Sequence, residues 1–72
     1  MTTKQARQCF LYGIGVHFDT DNREWGRVAS DGKIIEVQGR YCLVDAYSIR
    51  ATIRVRTSEL HDNRNETYSV KP

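Results

Sequence analysis

No stretch of this 72-residue chain approaches the ~20 consecutive apolar residues of a membrane span, and no apolar core of signal-peptide length follows Met1-Thr2-Thr3-Lys4-Gln5. A cytoplasmic protein with no membrane partner is the expectation. Cysteine is scarce. Cys9 and Cys42 stand too far apart to suggest a disulfide framework and are expected to be small buried hydrophobes. Charge of one sign is lacking too: the net charge is only +2, weak support for a polyanionic partner. Repeats and low-complexity tracts are absent.

Catalytic groupings are thin. There is no nucleophile elbow and no P-loop, and Gly13-Ile14-Gly15 lacks the third glycine of a dinucleotide site. The carboxylates are scattered, and His17 is a lone imidazole. No enzyme activity and no cofactor are therefore expected, a site shared across an oligomer being the one route left open. Cys9, Cys42, His17 and His61 show no C-x-x-C or H-x₃-H spacing, so no metal site is expected. Asp19-Thr20-Asp21-Asn22 opens like a calcium loop, but Arg23, Glu24 and Ser30 occupy the positions where that loop needs an oxygen ligand, a glycine and a glutamate. Asn65-Glu66-Thr67 matches a glycosylation sequon, read as chance in a chain without a secretory signal.

What the chain does have is β-pattern. Four runs between Trp25 and Arg56 read as a meander: Arg27 to Ser30, Lys33 to Gln38, Tyr41 to Asp45, and Ile49 to Arg56. Asp31-Gly32 between the first two is a strong hairpin signal, and Gly39 marks a second turn. In the last run Ala51, Ile53 and Val55 alternate with Arg50, Thr52, Arg54 and Arg56. Upstream, Phe10, Tyr12, Ile14, Val16 and Phe18 recur at period two, which predicts a strand over Cys9 to Phe18. Residues 1–7 read as a flexible arm, and Asp19 to Glu24 as a polar loop. Arg56 to His61 reads as one helical turn with Thr57 or Ser58 as N-cap, and Thr67 to Val70 as a closing strand.

A long first strand, a loop, a meander, a helical turn and a brief last strand resembles the order of SH3-like small barrels. The expected fold is thus all-β: one domain over residues 8–72, an open barrel of about five strands, with a five-stranded OB-like barrel as the competing architecture. The expected core is Phe10, Tyr12, Ile14, Val16, Val28, Ile35, Val37, Ile53, Val55 and Leu60, with either Leu43 or Val44 inward. A chain this short buries only about 60% of its unfolded surface, so homo-oligomerisation is a natural source of added stability.

Two binding surfaces are candidates. Trp25 with Tyr41, Tyr47, Asp19 and Asp21 would make an aromatic groove for a protein partner, since tryptophan and tyrosine dominate interface hot spots. Arg50, Arg54 and Arg56 on one strand face, extended by Arg27, Lys33 and Arg40, would instead meet nucleic-acid phosphates. Interspersed Glu24, Asp31, Glu36 and Asp45 weaken that second field, so the reading is a non-catalytic regulatory module with a protein partner favoured over nucleic acid.

Overall fold

The computed structural model describes residues 1–63. An α-helix, α1 (Thr3–Tyr12), precedes strands β1 (Gly15–Asn22), β2 (Gly26–Gln38), β3 (Tyr41–Ala46) and β4 (Ala51–Arg56), then a 3-10 turn (Thr57–Glu59) and β5 (Leu60–Asp62). The strands form one antiparallel sheet in the order β4-β3-β2-β1-β5. The protein is therefore mostly β with one helix among the described residues, and the sheet stays open, with β4 and β5 as its edges. The closing strand expected over Thr67 to Val70 lies outside the described residues, as does the sequon at Asn65. No described helix is long and apolar enough to cross a membrane.

The N-terminus departs most from expectation. Residues 1–7 are no arm, and Cys9 to Tyr12 belong to α1 rather than to a strand. The helix begins at a capping box: Thr2 Oγ1 accepts from the Gln5 N–H at 3.2 Å, and the Gln5 side chain accepts from the Thr2 N–H at 2.8 Å. It ends at Gly13, whose φ of 64° is the left-handed conformation glycine adopts without steric cost. Ala6 and Cys9, one turn apart, face the sheet and are buried. Phe10, Leu11 and Tyr12, read as core or as strand, are exposed by 43%, 73% and 75%. The Met1 amino group donates to the carbonyls of Thr57 and Leu60, both at 2.9 Å, tying the helix start to the 3-10 turn.

β1 runs on through most of the expected polar loop. Val16, Phe18 and Thr20 point inward, so the polar residues between them merely occupy the outer face. The turn is confined to Arg23-Glu24-Trp25, where Asn22 Oδ1 accepts from the backbone N–H of Glu24 and Trp25 at 2.8 and 3.2 Å.

β2 is continuous for 13 residues. Asp31-Gly32 is not a hairpin: Gly32 pairs with Val16 on one side and Ala46 on the other. A β-bulge between Ile34 and Glu36 turns Ile34 inward and leaves Ile35 46% exposed, the reverse of the expected assignment. The Gly39-Arg40 turn is where the pattern placed it, linking Gln38 to its partner Tyr41.

β3 and β4 follow the alternation. Cys42, Val44 and Ala46 are buried, which settles Val44 over Leu43, and Ile53 and Val55 face them from β4. The 3-10 turn forms as expected, but its N-cap is Arg56 and no side chain caps it. The Thr57 N–H instead donates to the Arg40 carbonyl at 2.8 Å.

Cys9 and Cys42 are both buried and neither is in a disulfide. Burial first, and the neighbouring Cys9 second, push the Cys42 thiol above its ordinary value, so it stays neutral near pH 7. A maleimide is expected to modify neither cysteine appreciably in the folded protein and both once guanidinium unfolds it. Adducts forming on the folded protein as fast as on an unstructured thiol peptide would place the thiols at the surface.

Candidate binding surface

The sheet curls. β1 and β4 are separated by two strands, yet the end of β1 and its following turn face β4 across an open concavity of about 770 Å³. One wall carries Tyr41, Thr52, Arg54 and Arg56; the other carries Asp21, Asn22, Arg23 and Glu24.

The first wall follows from strand pairing. Tyr41 is opposite Arg56, and Leu43 opposite Arg54, so Tyr41 and both arginines share the outer face of β3 and β4. The Arg54 guanidinium lies 4.7 Å from the centroid of the Tyr41 ring, and that of Arg56 lies 6.0 Å away. Both distances suit cation–π attraction. Among the described residues neither arginine has an ion-pair partner. The second wall is held by the Asn22 bonds of the turn and by Thr20, whose buried hydroxyl donates to Glu59 at 3.0 Å from the floor of the same concavity.

The residues expected to form one aromatic groove are not all brought together. Tyr41 reaches the concavity, but Trp25, 47% exposed at the end of the β1–β2 turn, does not line it. Tyr47 sits in the β3–β4 turn, its N–H donating to the Asp31 carbonyl at 3.0 Å, about 20 Å along the sheet from Tyr41 at the usual strand rise. Asp21 lines the concavity, whereas Asp19 is engaged outside it by a two-pronged contact from Arg27, Nε to Oδ1 at 3.0 Å and Nη2 to Oδ2 at 2.8 Å. The Arg27 hydrogen bond is the main reason the Asp19 carboxyl lies below its ordinary range. Both partners are solvent-exposed, so the pair adds little to stability.

The expected arginine face is divided as well. Arg50 is not on β4; it lies in the preceding turn, with a left-handed φ of 51°, at the far end of the strand from Arg56. Lys33 stands opposite Asp45, and Arg27 is neutralised by Asp19. Arg40 flanks Tyr41 in the β2–β3 turn. The arginines that remain together are Arg54 and Arg56, joined by Arg23 from the opposite wall, a residue outside the expected arginine face.

The potential metal ligands divide between two sides of the sheet. Cys9 and Cys42 are in the core, while the rings of His17 and His61 stack on the β1–β5 pair with centroids 5.1 Å apart. Among the described residues no three histidine, cysteine or acidic side chains gather where they could hold a metal ion.

No protein-family model, no curated protein and no solved structure matches this chain.

Proposed function

We propose that the protein is a non-catalytic binding module that engages a polypeptide partner in the concavity between the β1–β2 turn and β4. The observation that carries this is the opposition of charge across Tyr41. Arg54 and Arg56 form one wall, Asp21 and Glu24 outnumber Arg23 on the other, and an aromatic ring lies at the base of the arginines. A uniformly anionic strand would meet repulsion from Asp21, Glu24 and Glu59 while contacting the arginines. A peptide carrying both charge signs meets complementarity on each side. The SH3-like architecture belongs to the same proposal, supported by the meander and by the 3-10 turn ahead of the last described strand. The surface is centred on Tyr41 rather than on Trp25.

A peptide library displayed on phage and selected on the immobilised protein tests this, run beside fluorescence anisotropy of labelled single- and double-stranded oligonucleotides at two salt concentrations. Enriched peptides are expected to pair acidic with basic residues. Arg54→Glu and Asp21→Arg should each weaken a selected peptide by roughly tenfold, while Arg50→Glu, at the far end of β4, should leave it unchanged. Oligonucleotide binding that is steeply salt-dependent and abolished by Arg54→Glu would assign the surface to nucleic acid instead. A Trp25→Ala loss larger than that of Tyr41→Ala would move the protein-binding surface to the turn.

A further inference from the structure

A second surface, outside the concavity, is mainly apolar and carries one residue of each charge sign. On α1, Arg7, Phe10 and Leu11 share one face at helical spacing, next to but distinct from the buried Ala6–Cys9 stripe. Ile35 and Val37 of β2 border them, with Glu36 between, and together these residues line a groove between helix and strand. Leu11, Ile35 and Phe10 are 73%, 46% and 43% exposed. Two independent elements therefore place large apolar side chains in water at one spot. The strand does so through its bulge, the irregularity that aims Ile35 outward while Ile34 takes the core position. Contiguous exposed apolar surface of this kind usually marks an interface.

We propose that this groove is the interface of a symmetric homodimer. The charges identify the occupant. Arg7 lies on the helix side and Glu36 on the strand side; Glu36 accepts a hydrogen bond from the Gln38 side-chain amide at 2.5 Å, and among the described residues neither Arg7 nor Glu36 is ion-paired within its own chain. A twofold axis running along the groove lays the helix of one copy over the strand of its partner. Arg7 then meets the partner's Glu36 at one margin, and Glu36 meets the partner's Arg7 at the other. Such reciprocity is what an isologous contact requires, and a groove bearing a cation on its helix and an anion on its strand meets it without any change of sequence. Phe10, Leu11 and Ile35 of the two copies pack at the centre. A 72-residue chain gains from such burial more than a large one does.

Sedimentation velocity of the full chain over a wide concentration range tests the dimer, with circular dichroism to check that each variant is folded. Wild type is expected to convert from monomer to dimer as concentration rises, and Leu11→Glu, at an exposed helical position, to raise the dissociation constant at least roughly tenfold. Arg7→Glu alone and Glu36→Arg alone should each weaken the dimer, because each sets like charges against one another. The double variant carrying both should recover wild-type association. Wild-type protein that stays monomeric up to about 1 mM overturns the proposal, since a constant weaker than that reflects too small a free energy for a specific interface. A dimer indifferent to Leu11→Glu places the contact elsewhere, β4, an edge of the sheet among the described residues, being the next surface to probe, and failure of the double variant to recover association overturns the twofold pairing.

Discussion

Gly32→Ala is expected to destabilise the protein by about 3 kcal/mol, at the upper end of the cost of forcing extra volume into a packed site. Gly32 sits in the middle of β2, buried, with strands on both sides. A Cβ added there would press against the Asp45 carbonyl oxygen well inside contact distance, 2.9 Å from Val44 Cγ1 and 3.2 Å from the Asp45 carbonyl carbon. Two of the three obstacles are backbone of the neighbouring strand, which cannot rotate aside as a side chain can. Relief requires β3 to shift away from β2, and Val44, fully buried, would move with it. Chemical denaturation followed by Trp25 fluorescence measures the loss. For a domain of this size each kcal/mol lowers the melting temperature by about 4–8 °C, so the variant should melt roughly 12–24 °C below wild type, or fail to fold at 37 °C. Asp31→Ala is the informative companion. Were Asp31-Gly32 the turn its sequence suggests, both substitutions would cost similar amounts, near 1 kcal/mol, through the positive φ each position would need. In the observed strand the Asp31 side chain is exposed, and its replacement should change stability by less than about 0.5 kcal/mol.

The same residue shows why the sequence was legible in some places and not in others. Asp-Gly is a turn signal because of what its backbone can do locally. Here tertiary structure uses the glycine for its missing side chain, and nothing within a few residues of Gly32 announces the approach of β3. Alternation was reliable where a strand has one wet face: Ile53 and Val55 inward with Arg54 and Arg56 outward, or Val16 inward, followed directly from period two. It failed at Ile34 and Ile35, where a bulge adds one residue and inverts the register. It also misled at Phe10 and Tyr12, whose even spacing with Ile14, Val16 and Phe18 spans a helix end, a glycine link and a strand. The signals that decide that region are short-range and were present: Thr2 with Gln5 three residues later is a capping box, and Gly13 is a helix stop. At the candidate surface, the contact of Tyr41 with Arg54 and Arg56 was foreshadowed by two alternating strands joined in a meander. The second wall was not. Asp21 to Glu24 reach β4 only because the sheet curls, and curvature summed over four strands leaves no mark on any one of them.

Leu60→Ala is expected to cost about 3 kcal/mol, within the range measured for buried leucines, because the residue closes the core from the edge of the sheet. Leu60 is fully buried, pairs with Phe18 across the β1–β5 ladder, and follows directly on the 3-10 turn. Its N–H donates to the Thr57 carbonyl, and its own carbonyl accepts from the Met1 amino group at 2.9 Å. One residue therefore joins three pieces of structure, its backbone bonding to the turn and to the start of α1 while its buried side chain seats the short edge strand on the core. β5 spans only three residues, and besides Leu60 it is held against β1 by its short ladder, the His17–His61 ring stack and the His17–Asn63 hydrogen bond at 2.6 Å. The loss should accordingly be uneven as well as large. Amide hydrogen exchange in β5 and the first turn of α1 should accelerate more than in β2 and β3, which retain neighbours on both sides. Leu11→Ala supplies the contrast: the same chemical deletion at a position 73% exposed should alter stability by less than about 0.5 kcal/mol when the protein is dilute enough to be monomeric. Equal losses from the two leucines would mean that Leu60 is not the residue closing this end of the core. Uniform acceleration of exchange after Leu60→Ala would show instead that the edge and the sheet centre open together, so that the 72-residue chain unfolds as one cooperative unit down to its shortest strand.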